Sequence, residues 1–172
     1  MGDVKQISVL SIVHDTIVDG EGFRTSVYAA GCDHLCPSCH NPSSWDINNG
    51  TLTPIKVIYD DLMQNSFTNV TFTGGDPFYQ ARAFGLLARE IKRTSGKTIW
   101  CYTGLLYEDI LKKGGFYTDL LRYVDVLVDG KYDDTLKCLD IPFIGSSNQR
   151  IIDVQVSLLA NKVILWNGGE RT

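Results

Sequence analysis

Short apolar runs that end at polar, glycine-containing loops alternate along this chain with stretches of helical periodicity. Arg24 to Ala30 is rich in β-branched and aromatic residues, which predicts a strand. Thr53-Pro54 suits the cap and first turn of a helix running to about Gln64. Asn69 to Thr73 predicts a second strand. Beyond it Phe84, Leu87, Ala88 and Ile91 recur at the spacing of one helix face. Thr98 to Tyr102 predicts a third strand, with a helix around Tyr107 to Lys112, and Val124 to Val128 a fourth. Lys162 to Trp166 reads as a further strand, and Gly145 to Arg150 as a loop.

Strands separated by helices predict an α/β fold with parallel strands. In such folds the loops that follow the strands gather at one face. The loop after Ala30, Gly74-Gly75-Asp76, Thr103-Gly104 and Asp129-Gly130-Lys131 should therefore meet. The strands are too few for a closed eight-stranded barrel. No repeat, low-complexity tract or linker interrupts the pattern, so a single domain is expected over residues 1–172.

Composition narrows the partners. With 44% hydrophobic and 21% charged residues the chain can bury a core, and a net charge of -4 gives no global attraction for nucleic acid or an anionic membrane. No apolar run approaches a membrane span, and Met1-Gly2-Asp3-Val4-Lys5-Gln6 has no apolar signal core. Five cysteines, three of them in one loop, fit metal ligation in a reducing cytoplasm better than a disulfide framework.

That loop reads Gly-Cys-Asp-His-Leu-Cys-Pro-Ser-Cys-His-Asn from Gly31 to Asn41. It sets Cys32, Cys36 and Cys39 at C-x3-C-x2-C spacing. Thiolates grouped this tightly suit zinc or an iron–sulfur cluster, and a closed structural site wants a fourth ligand. Three cysteines on a cluster leave one iron free to bind something else. Zinc completed by His34, His40, Cys101 or Cys138 is the alternative, and would make a non-enzymatic interaction module. Gly74 and Gly75 end a strand where backbone comes close to a ligand, or form an ordinary strand-to-helix turn. Cys101 and Cys138 read as packing residues without a catalytic role. Arg24 reads equally as a surface arginine or as a contact to a partner or a carboxylate, and His14 and His34 have no assigned task.

Taken together in order, the cysteine loop, Asp19-Gly20-Glu21-Gly22-Phe23-Arg24, Cys39-His40-Asn41 with Trp45, and Gly74-Gly75-Asp76-Pro77 resemble the radical S-adenosylmethionine (SAM) superfamily. Within it they resemble the activating enzymes of glycyl-radical enzymes. Leu127-Val128-Asp129-Gly130-Lys131-Tyr132 and Gly145-Ser146-Ser147-Asn148-Gln149-Arg150 narrow the resemblance to activators of the anaerobic ribonucleoside-triphosphate reductase. It implies a partial, open TIM-like barrel. It also implies a 4Fe-4S cluster on Cys32, Cys36 and Cys39, with SAM on the fourth iron. One electron would cleave SAM to methionine and a 5'-deoxyadenosyl radical, which takes a hydrogen atom from a glycine of the reductase. By resemblance Gly74 and Gly75 meet the amino and carboxylate end of SAM with Asp76 next to them, Ser38 and His40 offer backbone groups near the adenine on either side of Cys39, and Thr103 and Asp129 lie beside the cofactor; a plain surface or structural histidine is the other reading of His40, and a solvated turn that of Asp129. A flavodoxin or ferredoxin is the implied electron donor. Ser38 replaces the aromatic residue common in the wider superfamily, as is usual in reductase activators. Glu21 stands where activators usually have proline, and Gly-Glu-Gly there also occurs in 7-carboxy-7-deazaguanine synthases, which remain an alternative, as does an activator of another glycyl-radical enzyme.

Overall fold

The computed structural model describes residues 5–168, so the ends of the expected 1–172 domain, including Met1 to Val4, lie outside the described residues. In chain order the elements are β1 (Gln6–Thr16), β2 (Arg24–Ala29), β3 (Thr51–Pro54), α1 (Ile55–Gln64), β4 (Asn69–Gly74), α2 (Ala81–Thr94) and β5 (Ile99–Tyr102). Then follow α3 (Tyr107–Lys113), α4 (Phe116–Leu121), β6 (Val126–Asp129), β7 (Arg150–Asp153) and α5 (Val154–Ala160). The strands form one open sheet in the order β3-β1-β2-β4-β5-β6-β7.

The four strands expected from the apolar runs, β2, β4, β5 and β6, are the four that pair in parallel. Buried on both faces, they need near-continuous apolar or β-branched sequence, which is why they are visible in it. β1, β3 and β7 add antiparallel pairings at the two sides. The sheet is therefore mixed. Thr53 and Pro54 belong to β3 rather than to the first turn of a helix, and Pro54 sits at the N-cap of α1 without a side-chain cap. Lys162 to Trp166 is not a strand. It runs beside β7 through one bridge between Ile152 and Leu165 and the bond from the Trp166 N–H to the Ile151 carbonyl.

Alternation along the strands gives the sheet two unlike faces. Val27, Val70, Phe72, Ile99, Cys101 and Leu127 point into the main core, where they meet Ile58 and Leu62 of α1, Phe84, Leu87 and Ile91 of α2, and Leu120 of α4. The opposite residues of the same strands are Arg24, Ser26 and Tyr28, then Thr71 and Thr73, then Trp100 and Tyr102. Around Trp100, Val126 and Val128 a smaller apolar cluster forms with Phe143, Ile151 and Trp166.

Arg24 is neither a surface residue nor exposed to a partner. It is 1% exposed and donates to the Thr71 hydroxyl at 2.6 Å and to the Val70 and Thr98 carbonyls at 2.5 and 3.1 Å. Its guanidinium lies 5.5 Å from the Trp100 ring centroid. Burial pulls its pKa down to about 10, so it remains charged at neutral pH and locks the glycine-rich segment 19–23 onto the sheet. No helix among the described residues is long and apolar enough to cross a membrane.

Candidate metal centre

β2 delivers the cysteine loop at the C-terminal edge of the parallel strands, as the alternating pattern requires. The root of the loop is pinned by backbone bonds from Gly31 to the Ser44 carbonyl (2.8 Å) and from Cys32 to the Trp45 carbonyl (3.1 Å), and Cys39 donates to the Cys36 carbonyl at 3.2 Å. Cys32, Cys36 and Cys39 are half-buried free thiols. Burial pushes the Cys32 thiol up to about 11. It is thus a proton-bearing sulfur in the metal-free chain, and a cation must displace the proton for it to act as a ligand. Leu35 and Ser38 have φ of +47° and +59°. At Ser38 this left-handed backbone costs about 1–2 kcal/mol through Cβ crowding, as it would for any residue but glycine.

Asp76 joins the loops. Only 3% exposed, its Oδ2 accepts from His34 Nε2 at 2.6 Å, from the Thr103 hydroxyl at 2.8 Å and from the Gly104 N–H at 3.2 Å. Its Oδ1 accepts from the Phe78 N–H at 2.8 Å. One carboxylate thereby ties the cysteine loop, the end of β4 and the end of β5 together. Asp76 and Thr103, both expected beside a cofactor, bond first to each other. His34, to which the sequence assigned no task, is part of the site.

Gly74 and Gly75 make their close approach to the chain's own backbone. A Cβ on Gly74, whose φ is +101°, would lie 2.5 Å from the Ala29 nitrogen, and one on Gly75 would lie 2.5 Å from the Gly31 carbonyl oxygen. The pair seats the root of the cysteine loop on the end of β4, with the Gly75 N–H donating to Ala29 and the Asp76 N–H to Gly31, at 2.7 and 2.9 Å.

Asp129 is fully buried at the end of β6. It accepts from the Tyr107 N–H at 2.8 Å and is clamped by Arg150, which donates from Nε at 2.9 Å and from a terminal nitrogen at 2.5 Å. It is therefore not a solvated turn residue, whereas Lys131 is exposed. The two C-terminal motifs form one unit. Gln149 Nε2 donates to the Gly130 carbonyl, Asn148 Nδ2 donates to the Lys131 carbonyl, and the buried Ser146 hydroxyl accepts from the Asp133 N–H. The exposed His40 packs against Tyr132, with ring centroids 4.8 Å apart, which brings the far side of the cysteine loop to this unit.

The remaining residues sort themselves. His14 pairs with Asp61 at 3.3 Å, away from the loop. Cys101 is fully buried in β5, and Cys138 is half-buried beyond β6. Glu21 is exposed, and its backbone carbonyl rather than its carboxylate is engaged, by Arg24. Of the fourth ligands open to zinc, His34 is bonded to Asp76 and Cys101 is sealed in the core. Two cavities, of about 360 and 430 Å³, lie among the helices and are not lined by the loop cysteines.

The donor set fits an iron–sulfur cluster: three thiols, none in a disulfide, on a short loop anchored at both ends at the polar edge of the sheet. Among the described residues no three His, Cys, Asp or Glu side chains already converge on one point. The loop thus offers its thiols through its anchored ends rather than as a ready-made cage.

A family model described as a 4Fe-4S single cluster domain matches residues 18–152. An anaerobic ribonucleoside-triphosphate reductase-activating protein of Enterobacteria phage T4 is 35% identical over 140 residues, covering 78% of this chain and 86% of the relative. Proteins of the same name from Haemophilus influenzae and Escherichia coli K12 are 31% and 32% identical over 149 and 143 residues, covering 78% and 77% of this chain and 90% of each relative.

Proposed function

The chain belongs to the family of anaerobic ribonucleoside-triphosphate reductase-activating proteins, and from that premise we propose that it is a radical SAM enzyme that installs a glycyl radical in the reductase. The observation that carries the reading is the meeting of this family membership with three free thiols at C-x3-C-x2-C spacing on the C-terminal edge of four parallel strands. When bound, the cluster and SAM supply one-electron cleavage to methionine and a 5'-deoxyadenosyl radical, which removes a hydrogen atom from a glycine of the partner.

Within this reading Cys32, Cys36 and Cys39 hold the cluster. The open sheet is a partial TIM-like barrel of the radical SAM type, and the chain is one domain. The backbone of Gly74 and Gly75 and the loop residues Ser38 and His40 border the SAM site, and Asp76 and Thr103 support it from below. Asp129 is on the same edge, with its charge matched by Arg150, so it steadies the edge rather than offering an open carboxylate. The polar face of Ser26, Tyr28, Thr73 and Tyr102 faces away from the helices and suits the admission of a glycine-bearing loop while Arg24 and segment 19–23 exclude water. Free thiols suit a reducing compartment such as the cytoplasm, and a flavodoxin or ferredoxin is the proposed electron donor.

The test is anaerobic reconstitution with iron and sulfide, followed by reductant, SAM and the reductase from the same source. Electron paramagnetic resonance should show a glycyl radical that requires SAM and disappears in Cys36→Ala. 5'-Deoxyadenosine formed without that radical would point to another substrate, such as that of a deazaguanine synthase. A colourless chain that binds zinc and forms neither would end the enzyme reading.

A further inference from the structure

Between the first and second cysteines the loop has one side chain that reaches out of it. Among the described residues 32–40, His34 alone donates a side-chain hydrogen bond to another part of the chain, at 2.6 Å to Asp76. Asp76 is a rigid anchor, because Thr103, Gly104 and Phe78 hold it independently. The imidazole also lies flat on the next loop: a Cβ on Gly104 would sit 2.4 Å from its Cδ2. The His34 side chain is 14% exposed, although its neighbours Asp33 and Leu35 are exposed. Leu35, with φ of +47°, holds a left-handed conformation that is uncommon for a residue other than glycine.

We propose that His34 is a positioning residue for the cluster: held by Asp76 and by the backbone of Gly104, it fixes the Cys32–Cys36 turn and so sets both the reduction potential of the cluster and its retention of iron. The inference rests on the reading of this loop as the seat of a 4Fe-4S cluster. Its physical basis is that hydrogen bonds to cluster sulfurs, and the solvent exposure of the cluster, tune its potential. Backbone N–H groups that bond cluster sulfurs stabilise the additional electron, and a turn held against Asp76 and Gly104 keeps such groups in one arrangement. Releasing the turn should make the cluster harder to reduce and open Cys32 to competing ligands.

The experiment compares the wild-type chain with His34→Ala, His34→Gln and Gly104→Ala after anaerobic reconstitution. Far-UV circular dichroism of the iron-free chains, iron and sulfide per chain, the rate of iron loss to a chelator, and the midpoint potential are measured. Gly104→Ala displaces the ring without altering His34. The amide of His34→Gln can reach the same carboxylate oxygen. His34→Ala and Gly104→Ala should fold as the wild type does, lose iron about tenfold faster, and reduce with an equilibrium constant about tenfold smaller, ~59 mV for one electron. His34→Gln should stay within about twofold on both. Wild-type values in His34→Ala and Gly104→Ala overturn the proposal, as does a His34→Gln chain as impaired as His34→Ala. Unfolding of iron-free His34→Ala and Gly104→Ala overturns it too, since His34 would then serve the fold alone. A wild-type chain that takes up no cluster overturns the cluster reading itself, an outcome distinct from the others.

Discussion

Two buried aspartates stand at the C-terminal edge of the sheet, and they are used in opposite ways. Asp129, at the β6 side, is neutralised within the chain by Arg150, which also bonds Glu108 of α3 at 2.8 Å. Asp76, beside the cysteine loop, has no lysine or arginine partner among the described residues. Its donors are an imidazole, a hydroxyl and two backbone N–H groups. At one end charge pairing stabilises the fold. At the other a carboxylate distributes several hydrogen bonds to loops that must stay in register. The same residue type at equivalent strand ends thus marks a structural edge in one place and a working edge in the other.

The contrast is broken most strongly by Asp76→Ala. It would strand the Thr103 hydroxyl and the Phe78 and Gly104 N–H groups in a buried site, at about 3 kcal/mol or more in total. The melting temperature should fall by roughly 6–12 °C, and iron uptake should fail with it. Arg150→Ala should cost about 3 kcal/mol by leaving Asp129 buried and unpaired, but iron per chain should match the wild type. Equal loss of iron in both variants would erase the distinction between the two edges. Gly75→Val should destabilise by about 1–3 kcal/mol through overpacking against Gly31 and Ser44. It should lower iron content together with SAM binding, whereas full iron content with weak SAM binding would mean that the glycine serves the ligand alone.

The smallest effect concerns pH. The hydrogen bond from Arg150 holds the Glu108 carboxyl below its ordinary value of 4.5. A depressed carboxylate contributes stability above that ordinary value and loses it as pH falls below it. Because Glu108 is largely exposed, the contribution is a few tenths of a kcal/mol. Urea melts of Glu108→Gln should therefore match the wild type near pH 3 and fall slightly short at pH 7, while a constant difference across that range would remove the linkage.

The parallel centre of the fold was legible because β2, β4, β5 and β6 are rich in β-branched and aromatic residues over an apolar face that the helices cover. β1 was not, since beyond Val9 it mixes Ser11, His14 and Asp15 with half-exposed apolar residues, so neither alternation nor a solid apolar block stands out. β3 and β7 are no shorter than β5 and β6, but Thr51, Thr53 and Pro54 in the one and Arg150 and Asp153 in the other leave no apolar run to mark them. The three loop cysteines could be singled out from their spacing alone, because thiols this close have few other uses. Arg24 could not be placed, since a guanidinium looks the same in sequence whether Thr71 and Trp100 enclose it or water does. His34 left a faint signal: an imidazole inside the cysteine spacing, with Asp76 and Gly104 in two loops expected at the same edge. What the glycines meet was hidden, because Ala29, Gly31 and Ser44 come to them only through the tertiary fold.

The burial of Cys32 reaches beyond ligation to the chain's history between loadings. Thiolates, not thiols, are the form that oxidants attack. A sulfur pushed up to about 11 stays protonated at neutral pH in the iron-free chain. In air the iron-free chain should therefore oxidise more slowly at Cys32 than an ordinary thiol would, a difference that mass spectrometry after thiol blocking should read.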